Sequence, residues 1–389
     1  MSRLNVGNLY NENEDGAPVV SGISTFSSPN YFIPPSGSTA QRPQDPGEGM
    51  IRFNTDSGHL EYYTGTHWAD VITNNQELGD TTQSTGNSAT GTGTRGVFMG
   101  GGNPTAKSDI DYITIATLGD AVDFGDLSGV ERGANNGQIA SRTRGFMIGG
   151  DQPAVNGDVE RIIFASTGSS VDTGLNFSVR RLSAGCSNQT RAILAGGYDN
   201  PSGADNNIIE YTEMASLGGT QDFGDLSLSR YFPSGVSSSV RGIFVGGIDA
   251  GVDEVNIIDY ITISTTGNAQ EFGDISEKGR KNTASNSTRG VLAGGYIDPG
   301  ANTNVIEFIT IATTGNSQDF GDMDVAKRDG AAVSSSTRMV IAGGYDGSSF
   351  YDAMDYITIL TTGNSVDFGD LVGTDRFRQT GTSNGHGGL

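Results

Sequence analysis

Arginine recurs at two fixed places along this chain, and its chemistry is that of an anion-binding side chain. The guanidinium group stays charged at neutral pH and offers a planar fork of N–H donors that matches a carboxylate or a phosphate. Twelve of the 19 arginines occupy the two places. Those at the first place are Arg95, Arg144, Arg191, Arg241, Arg289 and Arg338, and those at the second are Arg132, Arg181, Arg230, Arg280, Arg328 and Arg376. A charge that returns in this way predicts a ring of cations.

Two interpretations of the ring follow from the neighbouring residues. In the first, the cations line an axis and bind an anion. In the second, each guanidinium pairs with the last aspartate of a recurring Asp-Phe-Gly-Asp (DFGD) turn and bridges neighbouring units. Because the aspartate recurs with the arginine, we favour the second interpretation. The aspartates are Asp126, Asp225, Asp274, Asp322 and Asp370.

Other candidates lie in polar loops that follow a recurring Gly-Gly pair and differ between copies. Variable loops on a rigid scaffold often bind ligands, so their aromatic and acidic side chains are candidates for contacts with a sugar or a protein. These are Tyr198, Asp199, Asp249, Tyr296, Asp298, Tyr345, Asp346, Phe350 and Tyr351. The competing interpretation is an ordinary solvated turn. No loop has the regular calcium-binding pattern, and we expect neither a metal nor a cofactor.

The HExxH motif of zinc-dependent hydrolases is not found in the sequence. His59, His67 and His386 belong to no such pattern. Cys186 lies among small residues and is expected to be packed rather than nucleophilic. We therefore expect a protein that is not an enzyme, while paired carboxylates for glycoside cleavage stay open among the 45 acidic residues.

The composition restricts the partners of the chain. Its 389 residues include 23 basic and 45 acidic side chains, which gives a formal charge of −22. This charge repels phosphate, so we expect no nucleic-acid partner. No apolar run approaches the roughly 20 residues that cross a bilayer, and the first residues lack the apolar stretch of a secretory leader, so we expect no membrane insertion.

The elements that position these residues belong to a repeat of about 49 residues. The phrases around the first-place arginines are TRGVFMGG, TRGFMIGG, TRAILAGG, VRGIFVGG, TRGVLAGG and TRMVIAGG, spaced by 49, 47, 50, 48 and 49 residues. Each copy continues with a run rich in Ile, Tyr and Thr, a DFGD segment or its variant, and a stretch of small residues, all typical of short strands. Four strands at this period predict an all-β fold, a β-propeller with four-stranded blades.

The order of arginine, apolar strand, Gly-Gly, loop and Tyr-containing strand resembles the kelch repeat, which implies a kelch-like propeller. The Trp that the kelch pattern has after the third strand is replaced in most copies by Phe. The replacing residues are Phe124, Phe223, Phe272, Phe320 and Phe368. We expect these rings to pack between blades.

The two ends of the repeat region predict how the ring closes. Complete repeats run from about 84 to 371, and the segment from Arg376 matches one more small-residue strand. Segments between about 49 and 80 resemble the three strands that would follow it, with Trp68 at the kelch Trp position. We therefore predict seven blades over 49–389, the last formed from 49–80 and 376–385. The alternative is six blades and a small N-terminal β module over 50–72.

Residues 1–48 are predicted to be an extended docking arm and linker, since they carry short apolar segments and prolines outside the repeat. The segment 36–71 resembles a module of bacteriophage virion proteins, and the repeats resemble structural proteins of marine phages, particularly cyanophages. This resemblance implies a virion protein, made in the host cytoplasm, whose arm binds other virion proteins on the tail, fibre or baseplate. Its propeller is then expected to display loops for host-surface glycan or protein recognition, or to stabilise the particle; homo-oligomers are compatible with this role.

The sequence also leaves other functions open. One is a virion-associated glycan-degrading enzyme on the same scaffold. Another is a capsid decoration protein or an intracellular kelch-type adaptor. For residues 1–48, a flexible tail is the alternative to a docking arm.

Overall fold

The structure is a computed structural model that describes residues 34–56, 59–70, 94–102, 105–131, 133, 135–151, 154–199, 203–251, 253–297, 300–373 and 375–389. These residues form short β-strands and turns, with one turn of 3-10 helix at Thr39–Gln41. The predicted all-β class is confirmed. The chain divides into two compact units, Met1–Glu77 and Leu78–Leu389.

The first unit contains one four-stranded sheet, the N-terminal sheet, whose strands in order are Ser36–Gly37, Ile51–Asn54, His59–Tyr63 and Trp68–Asp70. One face of this sheet is apolar and exposed: Ile51, Phe53 and Tyr62 are 53, 37 and 40 % exposed. On the other face the buried side chains are polar, and Arg52 lies 3.5 Å from Glu61. An apolar exposed face and a polar buried face reverse the usual arrangement of a sheet.

In the described residues the second unit contains eight sheets. We number the six larger ones along the chain; they are antiparallel apart from a short parallel pairing of Asn135–Asn136 with Ser183–Ser187. Their strands are, in sheet 1, Thr380–Ser383, Arg95–Met99, Lys107–Thr114 and Val122–Glu131; in sheet 2, Arg144–Gly150, Asn156–Ile163 and Val171–Asn176; in sheet 3, Ser183–Ser187, Arg191–Ala195, Ile208–Glu213 and Gln221–Asp225; in sheet 4, Ser234–Ser237, Arg241–Val245, Ile257–Thr262 and Gln270–Asp274; in sheet 5, Gly279–Ser285, Arg289–Ile297, Ala301–Thr310 and Gln318–Asp322; and in sheet 6, Ala331–Ser334, Arg338–Ala342, Ala353–Thr358 and Val366–Asp370. Shorter strands are Asn135–Asn136, Arg180–Arg181, Tyr198–Asp199, Ala204–Asp205, Arg230–Tyr231 and Ile248–Asp249.

The four segments of each repeat become the strands that the sequence predicts. The small-residue stretch is the first strand, the arginine phrase the second, the Ile-, Tyr- and Thr-rich run the third, and DFGD the fourth. In sheet 2, Ala140 makes an isolated bridge to Gly145 at the place of the first strand. The expected first strand of the first repeat, from about residue 84, falls mostly outside the described residues.

The hydrophobic core is divided into clusters that each join two consecutive sheets. Phe223 of sheet 3 packs with Phe244 of sheet 4, and Phe368 of sheet 6 packs with Phe98 of sheet 1. The five DFGD phenylalanines are 2 to 3 % exposed and all lie in such clusters. The predicted packing of these phenylalanines between neighbouring sheets is confirmed.

Glycine is required where backbones of neighbouring sheets approach closely. Gly224 of a DFGD turn has a φ of 144°, and a Cβ there would lie 2.5 Å from the carbonyl oxygen of Gly267 in the next sheet. In the first strands, a Cβ on Gly235 would lie 2.1 Å from the carbonyl oxygen of Gly185. Any side chain at these two positions would force the sheets apart.

Serine hydroxyls connect the first strands of the sheets. Ser237, Ser285, Ser334 and Ser383 each donate to the backbone carbonyl of the equivalent serine in the preceding sheet, at 2.5 to 2.8 Å, beginning with Ser187. The first strands of neighbouring sheets are therefore in close contact, and the small residues of these strands allow this crowding, as the sequence predicts.

The C-terminal strand Thr380–Ser383 pairs with Arg95–Met99, with Thr380 opposite Met99. The predicted pairing of this strand with the segment 49–80 is therefore wrong. The physical reason is that Ile51–Asn54 already has Ser36–Gly37 on one side and His59–Tyr63 on the other, so it has no free edge. The part of the predicted closing blade beyond residue 70 lies outside the described residues.

Candidate functional site

The first-place arginines link each sheet to the next through a backbone carbonyl. Each begins the second strand of its sheet and donates from Nη1 to the residue that follows the third strand of the next sheet. Arg191 reaches the carbonyl of Ile263 at 2.9 Å, and Arg338 of sheet 6 reaches that of Ile115 in sheet 1 at 3.3 Å. These arginines bridge consecutive sheets, but their acceptor is a backbone carbonyl rather than the predicted aspartate.

A second set of cations is buried, and each pairs with an acidic residue in the third strand of the sheet that follows it or contains it. Arg230 lies 3.0 Å from Asp259, and both side chains are fully buried. The other pairs are Arg180 with Glu210, Lys281 with Glu307, Lys327 with Asp355 and Arg376 with Asp111. Burial lowers the pKa of Arg180 to about 10 and also lowers the pKa of Arg230 and of Arg376.

The buried carboxylates also hold the preceding sheet. Ser227, just after the fourth strand of sheet 3, donates its N–H and hydroxyl to Asp259 of sheet 4. Ser178, after the strand Val171–Asn176 of sheet 2, makes the same two bonds to Glu210 of sheet 3. One carboxylate therefore connects a buried cation with the edge of the preceding sheet.

The predicted pairing of the second-place arginines with DFGD aspartates is wrong. These aspartates bridge sheets through their backbone: the carbonyl of Asp225 accepts from the N–H of Ala269 at 2.8 Å, and its N–H donates to Asn268 Oδ1 at 3.1 Å. The carbonyls of Asp126, Asp274, Asp322 and Asp370 accept equivalent bonds from Ser170, Ser317, Ser365 and Ala121. The DFGD strand lies at the edge of its sheet, so the third-strand carboxylate is the one that meets the buried cation.

A third set of arginines gathers around one carboxylate. Arg280, Arg328 and Arg378 lie 3.7, 3.9 and 3.5 Å from Asp329, whose side chain is 5 % exposed. We call these four residues the arginine cluster. Arg280 also donates to Glu254 at 3.2 Å. The cluster brings three positive charges to a small area of a strongly acidic protein.

Aromatic rings lie close to the guanidinium groups of the arginine cluster. The Cζ atoms of Arg280 and Arg378 lie 4.6 and 5.2 Å from the centroid of the Phe232 ring. Those of Arg280 and Arg328 lie 4.7 and 4.4 Å from the centroid of the Tyr296 ring. A guanidinium group over an aromatic ring is held by a cation–π interaction and keeps N–H groups for hydrogen bonds.

Three further rings extend this array. Tyr345 stacks on Phe350 at 4.6 Å, and Phe350 lies 4.9 Å from Phe377. Arg328 lies over Tyr345 at 5.4 Å and Arg378 lies over Phe377 at 5.3 Å. The loops after the Gly-Gly pairs and the C-terminal segment thus contribute to one continuous surface.

The backbone beneath this surface is strained. Leu182, Phe232, Asp329 and Arg378 have φ of 55, 58, 56 and 56°, and Gly133 has a φ of 68°. These residues precede the first strands and hydrogen-bond in series: Leu182 N–H donates to Gly133, Phe232 N–H to Leu182, and Gly133 N–H to Arg378. A positive φ is unfavourable for Leu and Phe, and strain of this kind concentrates at functional sites.

The strained residues surround a depression. It holds about 420 Å³ of empty space, part of which is open to solvent. Its lining is Gly133, Asn136, Leu182, Phe232, Arg280, Lys281, Asn282, Asp329, Gly330, Arg378 and Gln379. Cationic, amide and apolar side chains therefore converge at one place.

The predicted loop residues divide into two groups. Tyr296, Tyr345 and Phe350 join the surface at the arginine cluster. Tyr198 lies under Arg181 at 5.3 Å and contacts Tyr231 at 5.6 Å.

The acidic loop residues make turn contacts instead. Asp249 accepts from the N–H groups of Gly251 and Asp253. Asp346 accepts from two backbone N–H groups and from the hydroxyl of Tyr351, which hold its pKa well below the usual range. Asp199 belongs to a short strand that pairs with Arg180–Arg181. Asp298 and Arg132 lie outside the described residues.

Sequence reasoning missed Phe232, Asp329, Arg378 and Gln379. The first three occupy one repeat position, just before the first strand, where other copies have Gly133 and Leu182. A recurring position was therefore visible, but its residue types share no chemistry that would have indicated a site.

Cys186 is buried in the cluster between sheets 3 and 4, and burial raises the pKa of its thiol. Its predicted role as a packed side chain is confirmed. Across the described parts of the chain, no three His, Cys, Asp or Glu residues are grouped to hold a metal, and no helix is long and apolar enough to cross a membrane.

No protein-family model matches this chain, and no curated protein is similar to it in sequence.

Proposed function

We propose that the second unit is a six-bladed β-propeller, in which sheets 1 to 6 are the blades. Three series of contacts support the ring: hydrophobic clusters between consecutive sheets, arginine-to-carbonyl bonds, and serine bonds between first strands. In all three series sheet 6 contacts sheet 1. The C-terminal strand then closes the first blade rather than a seventh, which favours the alternative of six blades and a separate N-terminal module.

The propeller's proposed function is ligand binding without catalysis. The observation that carries this proposal is the arginine cluster, whose guanidinium groups lie over aromatic rings beside a depression. Arginines held in this way present fixed N–H donors to a ligand. A display of this kind fits a host-surface glycan or protein as the partner.

The protein's proposed setting is the virion of a phage, on the tail, fibre or baseplate. This rests on the resemblance of the repeats and of segment 36–71 to phage structural proteins. The N-terminal region is then the attachment to other virion proteins. The exposed apolar face formed by Ile51, Phe53 and Tyr62 supports this part of the proposal, because exposed apolar patches commonly mark protein interfaces.

Mass spectrometry of gradient-purified particles of the phage that encodes this chain tests the proposal. We expect the protein in the particle fraction at a constant ratio to the major capsid protein. Its absence from particles would favour an intracellular adaptor. Release of reducing sugars when the purified protein is incubated with host glycans would favour the glycan-degrading alternative.

A further inference from the structure

We propose that the depression beside the arginine cluster binds a monosaccharide that carries a carboxylate, such as a uronic acid. The inference rests on the proposed binding function and names the class of its ligand.

The charges at the depression favour an anion. Among the described residues, Arg280, Lys281 and Arg378 line it, and Asp329 is the one acidic residue in the lining. Arg280 and Lys281 also pair with Glu254 and Glu307, which are not in the lining, so Arg378 is the lining cation whose only carboxylate partner among these residues is the shared Asp329. Within the described part of the chain, Nε of Arg378 is buried and makes no hydrogen bond. The carboxylate of Asp329, 3.5 Å from this Nε, is the nearest counter-charge, and it is shared with Arg280 and Arg328. A ligand carboxylate would add the charge-assisted hydrogen bond that Nε lacks.

An unpaired acceptor in the same lining calls for a donor on the ligand. Gln379 is 5 % exposed, and its amide nitrogen donates to the carbonyl of Ala342 at 2.9 Å. Among the described residues, its Oε1 atom is buried and accepts no hydrogen bond. Leaving such an atom unpaired is unfavourable. A sugar hydroxyl supplies the missing donor, which a simple anion lacks.

Apolar side chains complete the lining. Leu182 and Phe232 pack with Ile248 in a small cluster and also line the depression. The carbon-bound hydrogens of a sugar ring suit such a wall. A cationic edge, an amide acceptor and an apolar wall together match the three kinds of surface that a uronic acid presents.

The size and the charge of the depression also select the ligand. The depression holds about 420 Å³ of empty space, including open solvent, which leaves room for one sugar ring with its carboxylate. The carboxylate of Asp329 disfavours a doubly charged phosphate at the same place, because like charges repel strongly where water is displaced.

Isothermal titration calorimetry on the full chain tests the proposal with glucuronate, glucose and acetate as probes. We expect saturable binding of one glucuronate per chain, at least about tenfold tighter than that of glucose or acetate. Equal binding of glucose would overturn the role of the carboxylate, and equal binding of acetate would overturn the role of the sugar. No saturable binding of glucuronate would reject the site.

Two substitutions locate the binding. Arg378→Gln is expected to weaken glucuronate binding about tenfold, since it removes one charge-assisted contact. Asp329→Asn is expected to strengthen binding, because it removes the competing carboxylate while Asn tolerates the positive φ. Arg142→Gln, a matched change at an exposed arginine outside the depression, should have no effect.

Melting curves show whether each variant is folded. If Arg378→Gln fails to fold, Asp329→Asn carries the test alone, and weaker binding by this variant contradicts the proposal. Failure of these titrations leaves the presence of the protein in particles untouched, so the two proposals are tested separately.

Discussion

The His386 imidazole is completely buried among backbone groups near the first strands. Its Nδ1 atom accepts from the N–H of Gly388 at 3.1 Å, and Nε2 lies 3.4 Å from the carbonyl of Ala140 and 3.2 Å from Ser187 Oγ. The neutral ring with its proton on Nε2 satisfies these partners. Burial lowers the pKa of His386 to about 4.

This lowered pKa predicts a loss of stability in acid. Below pH 6.5 the unfolded chain takes up a proton that the folded chain accepts near pH 4, so the free energy of unfolding falls across this window. The loss attributable to His386 is about 3 kcal/mol. Urea unfolding at pH 8 and pH 4 should show a smaller pH-dependent loss for His386→Asn than for the wild type. The exposed His67→Asn serves as control; equal losses in all three proteins would contradict the prediction.

The buried pair of Arg230 and Asp259 predicts a large effect of a small substitution. Asp259→Asn leaves the buried guanidinium without its counter-charge, and such a change costs about 3 to 5 kcal/mol. Asp225→Asn, in the half-exposed DFGD turn, should cost less than about 1 kcal/mol. Equilibrium denaturation measures both. If Asp225→Asn is the more destabilising of the two, the DFGD aspartates rather than the third-strand carboxylates pair with the buried cations, and the prediction is wrong.

The strand Thr380–Ser383 joins the C-terminal end of the second unit to the first sheet of that unit. Without it, the edge of Arg95–Met99 is left unpaired. The serine row would also lose its last member, Ser383.

Deletion of residues 379–389 is therefore expected to abolish cooperative thermal unfolding of the second unit, or to lower its midpoint by more than about 10 °C. Deletion of 384–389 keeps the strand and should leave a cooperative transition. Differential scanning calorimetry distinguishes these outcomes. An unchanged midpoint after the larger deletion would show that the strand is dispensable.

The sequence predicted the strands of each repeat because its apolar and small-residue segments are local signals. It misassigned the partners of the buried cations because two acidic residues recur with the same period, in DFGD and in the third strand. Spacing alone cannot distinguish them. The choice depends on which carboxylate faces inward, and this is a property of the sheet.

The whole molecule shows why the partner of the C-terminal strand and the candidate site were harder to predict. The C-terminal strand could pair with any second strand whose edge is free, and sequence similarity does not show which second strand has a free edge. At the depression, the backbone recurs in the positive-φ residues while the side chains change from Gly133 to Leu182, Phe232, Asp329 and Arg378. A search for repeats detects residues that the copies share, so it does not detect a site whose side chains differ from copy to copy.

The pairing of Thr380–Ser383 with Arg95–Met99 also constrains biosynthesis. The ribosome makes one partner early and the other near the end, so at about 5 to 20 residues per second the nascent chain carries an open apolar edge for tens of seconds. Unpaired edges of this kind invite association between chains. A polysome, which carries several ribosomes on one message, therefore holds neighbouring nascent chains at the stage when their unpaired strands can pair with each other.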